Sequence, residues 1–113
     1  MTNELRNKSK EAAKMLGVEA ELISDMMMKV TVGGVDYTIK KVPMRTWVQM
    51  VDKWAGNNGR PVDEIMFDEV FRNMVVEPMG ISWDEDFDYL EDVQKIVGIA
   101  VLFQNPSRDD LGK

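Results

Sequence analysis

The chain has 113 residues, 44% hydrophobic and 30% charged, with a formal net charge of −6 and neither Cys nor His. This is the composition of one ordinary globular domain. It excludes disulfides, thiolate metal sites and thiol or imidazole catalysis, and an acidic chain opposes phosphate-driven nucleic-acid binding.

No apolar run reaches the roughly 18 residues that a membrane span needs. The first ten residues, M-T-N-E-L-R-N-K-S-K, lack the apolar segment of a secretory signal. A cytoplasmic protein is expected. Residues 1–25 read as a helical arm, partly mobile. Within it Lys8–Leu16 holds the helix formers Ala12, Ala13, Met15 and Leu16, Gly17 stops the helix, and Glu19–Ile23 adds a short further turn.

Met26–Val42 reads as a β-hairpin. Gly33-Gly34 supplies the positive φ angles of a two-residue primed turn. Pairing across it sets Val32 opposite Val35, Val30 opposite Tyr37 and Met28 opposite Ile39, all on one apolar face. Thr31 with Asp36 and Lys29 with Thr38 fall on the other. A lone hairpin is marginal, so this apolar face must pack on helices.

Pro43 ends the strand and suits a helix start. Met44, Trp47, Val48, Val51 and Trp54 then form one apolar stripe at helical spacing. Gly56–Pro61 is a loop by composition. The next helix starts near Val62 or Asp63, with Asp63 and Glu64 favoured in its first turn. Its core face is Met66 or Phe67, then Val70, Phe71 and Met74, before Pro78 and Gly80 break it. Ser82-Trp83-Asp84-Glu85 has capping-box spacing. Phe87, Leu90, Val93, Ile96, Val97, Ala100, Val101 and Phe103 continue as a last helix, apolar nearly all round after Lys95 and so central. Asn105-Pro106 ends it, and 106–113 reads as a disordered polar tail. The expected fold is α+β: a mainly α-helical single domain with one β-hairpin, its globular part spanning residues 26–105.

Nothing in the chain has the pattern of a reaction centre. Asp84, Asp86 and Asp88 give D-x-D-x-D. An EF-hand, however, needs Gly at the sixth loop position and Glu at the twelfth, where Tyr89 and Lys95 stand. The alternatives for the acids Asp84 to Asp92 are a solvated helix N-terminus, a weak divalent-ion site and a docking face for a basic partner. Gly33-Gly34 and Gly56–Gly59 lack the strand–glycine–helix context and the lysine of a phosphate loop. Ten methionines are many for 113 residues. They suit irregular cores, and they also suit adaptable binding surfaces. Bulky apolar residues are numerous enough that some should stay exposed and mark an interface. Trp47 and Trp54, seven apart on one helical face, have the spacing that usually marks a core; for an interface, the Met44, Trp47 and Trp54 face is the expected partner-binding surface. Free hairpin edges also allow self-association by strand addition.

The order of parts carries a resemblance. G-x-x-Y-x-I-K-K (Gly34–Lys41) is followed by P-x-R-x-W (Pro43–Trp47) and D-E-V-F-x-N-x-V-V-x-P (Asp68–Pro78). Then come I-S-W-D-x-x-F (Ile81–Phe87) and a helix ending in Phe103-Gln104. This pattern, over residues 28–104, resembles the tail assembly chaperones of long-tailed bacteriophages, especially those infecting Gram-positive hosts. The resemblance implies a mostly helical, non-enzymatic protein of the infected cell's cytoplasm, without cofactor or metal. Such a protein binds the tape measure protein, keeps it soluble while tail tube subunits assemble, and is absent from the finished virion. The tail tube protein is a further implied partner, and neither nucleic acid nor membrane is. A longer frameshifted form is common in that family. It has no catalytic motif to transfer to these residues. The alternatives are a phage structural adaptor, such as a head–tail joining component, and a small enzyme using Asp or Glu with a divalent ion.

Overall fold

The Gly33-Gly34 turn sets the register from which the rest of the sheet follows. Both glycines have positive φ, 60° and 79°, as a primed hairpin turn requires. The strands it joins are β2 (Met27–Val32) and β3 (Val35–Lys40). They pair in the expected register, Val32 with Val35, Val30 with Tyr37 and Met28 with Ile39. Met28, Val30, Val32, Tyr37 and Ile39 are buried, whereas Val35 at the turn stays exposed. On the opposite face the Thr31 hydroxyl donates to Asp36 Oδ1 at 2.6 Å. The computed structural model describes residues 17–56 and 60–105. The expected Lys8–Leu16 helix and the expected tail 106–113 lie outside the described residues.

Two further strands complete an antiparallel sheet of order β1-β2-β3-β4. Strand β1 is Glu19–Ser24 and β4 is Val75–Glu77. The expectation of a mainly helical domain with a single hairpin is therefore corrected: the described residues are 43% helix and 27% strand. Glu19–Ile23, expected as a helical turn, is extended because its apolar residues have period two. Ala20 and Leu22 lean on the core while Glu19 and Glu21 face out, with Glu21 opposite Lys29. Pairing with β2 outweighs the modest helix preference of Glu, Ala and Leu. Val75 and Val76, expected near a helix end, are β-branched and meet the free edge of β3, where Lys40 N donates to Met74 O at 2.9 Å.

Among the described residues the helices are α1 (Met44–Trp54), α2 (Asp63–Asn73) and α3 (Leu90–Gln104). Helix α3 packs on β2 and on α2, and α2 also packs on α1 and β4. Val93, Ile96, Val97, Ile99, Ala100 and Phe103 of α3 are buried, which is the central position its apolar run implies. Helix α1 buries Trp47, Met50 and Trp54. The two indoles meet edge to face, with ring centroids 5.3 Å apart.

Helix α3 begins at Leu90 and not at the expected capping box. Ser82 to Asp86 forms a single isolated turn, closed by Asp86 N donating to Ser82 O at 2.9 Å. A continuous helix would stack Asp84, Asp88 and Asp92 at i, i+4 spacing, and like charges there are destabilising. The turn instead fixes two aromatic anchors. Trp83 packs edge to face on Phe67, and Phe87 contacts both Tyr37 and Phe71.

Candidate functional site: a groove beside Trp83

The segment that returns from β4 to α3 crosses the outer side of α2 without closing on it. Between them lies an open groove of about 380 Å³, lined by Asp68, Phe71, Arg72, Val75, Gly80, Ile81, Ser82 and Trp83. That volume lies at the small end of ligand sites, which span roughly 300–1,000 Å³. Phe71 comes from the buried face of α2 and Val75 from β4. Ile81 and Trp83 are half-buried on the returning segment. The Trp83 ring is held on two sides. Its Nε1–H donates to Asp68 Oδ1 at 2.6 Å, and its centroid lies 5.2 Å from that of Phe67. An indole fixed in this way presents its remaining surface at little further entropic cost.

The rim is acidic. Ser82 N donates to Asp86 Oδ2 at 2.7 Å, and the Ser82 hydroxyl donates to Asp84 Oδ1. Both carboxylates are thereby held next to the groove wall. From Glu77 to Asp92 the chain carries Glu77, Asp84, Glu85, Asp86, Asp88, Glu91 and Asp92 with no Lys or Arg. The one cation on the lining, Arg72, donates to Glu69 Oε2 at 3.2 Å. Glu91 pairs with Lys95 at 3.3 Å. Apolar side chains stand free nearby along the chain: Met79 is 87% exposed, Tyr89 69% and Leu90 59%.

The D-x-D-x-D acids do not converge on a metal position. Among the described residues no group of three or more carboxylates is placed to hold an ion. Asp84 and Asp86 are turned to Ser82, and Asp92 lies beneath the Gly33 turn, where a Cβ on Gly33 would come 2.9 Å from Asp92 Oδ2.

The expected partner-binding residues divide. Trp47 and Trp54 are buried, packed on each other and on the core, so neither indole is on offer to a partner. Met44 is 69% exposed and Val48, four residues on, is 50% exposed. What remains of that stripe is a narrow apolar ledge on the flank of α1. The groove was not anticipated from sequence, although its pieces were noted one by one. The Trp83–Asp68 hydrogen bond joins positions 15 apart in the chain, and no local spacing announces such a pair.

Other polar features have structural partners. Glu69 is buried beneath Lys53 and Arg72, at 3.3 Å and 3.2 Å. Lys41 lies 4.9 Å from the centroid of the Phe103 ring. Burial lowers its pKa below the usual lysine value, and the nearby Asp25 charge opposes that shift. A second cavity, of about 370 Å³, is lined by Glu19, Ala20, Glu21, Lys29 and Thr31 of β1 and β2. It has no apolar side chain larger than Ala20.

Among the described residues no helix is long and apolar enough to cross a membrane. No family model, no curated protein and no solved structure matches the chain.

Proposed function

We propose that this chain is a tail assembly chaperone of a long-tailed bacteriophage. It holds the tape measure protein soluble in the host cytoplasm while tail tube subunits assemble, and it is left out of the virion. The observation that carries the reading is the ordered residue pattern across 28–104, from Gly34–Lys41 through Asp68–Pro78 and Ile81–Phe87 to Phe103-Gln104. Its members meet one another in the fold. Tyr37 stacks on Phe87, Asp68 accepts from Trp83, and Gln104 bonds to the backbone of Val42 beside Pro43.

The surface supports a binding role. A binder for apolar helical faces needs adaptable apolar side chains and a net charge that keeps it dispersed. Met44, Val48, Met79, Tyr89 and Leu90 are exposed on a chain of net charge −6. Co-expression with a long coiled-coil tape measure protein is the test. The two should co-purify, and the soluble yield of the larger one should rise. Failure of both overturns the reading. Mass spectrometry of purified particles separates the structural-adaptor alternative, since a head–tail joining component stays in the particle and a chaperone does not.

A further inference from the structure

We infer that the groove beside Trp83 is the docking site for a short basic segment of the partner, one that carries a bulky apolar side chain flanked by Lys or Arg. The inference rests on the protein-binding reading above and names the site and the chemistry it accepts. The floor is apolar and preformed: Phe71, Val75, Ile81 and Trp83 surround a volume already open in the free chain. Trp83 is anchored by Asp68 and Phe67, so a side chain entering the groove meets a fixed aromatic face. Anchored aromatic pockets of this kind concentrate binding energy.

Charge selects the occupant. Asp84 and Asp86 are tied to Ser82 on the wall, and neither has a cationic partner among the ion pairs of the described residues. The opposing cation, Arg72, is engaged by Glu69. A segment bearing Lys or Arg on either side of its apolar anchor would therefore complete both carboxylates as it seats. A second copy of this chain is a poor occupant, because its own acidic surface would approach the same rim. A nucleic acid is repelled for the same reason.

Trp83 also supplies the readout, as the half-buried indole at the groove, while Trp47 and Trp54 are enclosed elsewhere. The probe is the synthetic peptide Lys-Lys-Phe-Lys-Lys, titrated against the full chain with tryptophan emission recorded. Glu-Glu-Phe-Glu-Glu and Lys-Lys-Gly-Lys-Lys serve as controls. The basic Phe peptide should shift the emission, and added salt should weaken it. Ile81→Lys puts a cation on the groove lining, where it opposes a basic peptide, and thermal unfolding checks that the variant folds. Loss of a lining contact of this type weakens binding about tenfold or more. Glu85→Lys with Asp88→Lys should slow association and flatten the salt dependence.

Equal binding of the acidic peptide, or peptide binding that Ile81→Lys leaves unchanged, would overturn the inference. So would concentration-dependent dimerisation that Ile81→Lys abolishes, since a second copy would then be the occupant. The same variants in the co-expression experiment keep the two readings apart. If wild type and variants retain the large partner equally, the groove assignment falls and the chaperone reading stands. If no form retains it, the chaperone reading falls.

Discussion

Glu69 is the one charged side chain buried among the described residues, 4% exposed. Its two oxygens face Lys53 of α1 and Arg72 of its own helix, both of which are largely in solvent. The carboxylate is thus a clamp between α1 and α2 whose cost is carried by whichever cation remains. Lys53→Met and Arg72→Met singly should each cost under about 1 kcal/mol, as for exposed partners. Removing both leaves a buried charge uncompensated and should cost more than the sum, with about 3 kcal/mol the scale for such a loss. Additive urea-denaturation energies would argue against the clamp. Tyr37 gives a pH handle. Burial first, and then the Asp92 charge, raise its pKa above the usual phenol value. A group with folded pKa above its unfolded value holds its full stabilising contribution below the unfolded pKa, about 10 for Tyr. That contribution is lost as pH climbs through the folded value. Lys41 has the opposite sign, since its lowered pKa makes stability rise with pH in its own window. Tyr37→Phe removes only the first effect. Its stability relative to wild type should therefore increase above about pH 10 and stay level near neutrality, as denaturant midpoints across that range would show.

At the level of elements, the C-terminal end of α3 is tied to the start of α1 by one side chain. Gln104 Nε2 donates to Val42 O at 3.0 Å, and Gln104 Oε1 accepts from Val42 N at 2.7 Å. The amide thereby closes both backbone groups of Val42 much as a neighbouring strand would. Gln104→Ala leaves a partly buried donor and acceptor open, with an expected loss of about 1–2 kcal/mol. Gln104→Glu keeps the acceptor but sets a carboxylate against the carbonyl, so it should rescue little; full rescue would mean that shape alone matters. The isolated turn at Ser82–Asp86 is the other decisive element. By closing on itself it ends helical growth, stations Trp83 and Phe87 on α2, and leaves an open channel beside them. A helix running unbroken from Ser82 would have carried those carboxylates along its own surface and left no rim.

At the scale of the whole fold, one sheet face and the three helices of the described residues share a single core, and the surplus apolar side chains lie at its margins. The Cα radius of gyration, 13.6 Å, is near the roughly 13 Å of a compact hundred-residue domain. Core and margin answer differently to mutation. Trp54→Ala removes an enclosed indole and should lower stability by about 3–5 kcal/mol. Met44→Ser, on the exposed ledge of the same helix, should change it by less than about 0.5 kcal/mol. Thermal unfolding of the two variants checks the division. A mild Trp54→Ala would mean that the indole is not part of the core.

The β2–β3 register, the starts of α1 and α2 and the central place of α3 were legible in the residues. Each rests on contacts between near neighbours in the chain: a two-residue glycine turn, a proline, an apolar period. The partners of β1 and β4, the choice between core and interface for Trp47 and Trp54, and the groove were not. An extended E-A-E-L-I-S and a short helical one differ by little in local energy, and the free edge of β2 decides between them. An indole at helical spacing is equally apolar whether it faces a core or a partner, and only the packing of α2 and the sheet against α1 encloses it. The groove exists because Trp83 reaches Asp68 and Phe67 across α2, a meeting of distant positions that folding alone brings about.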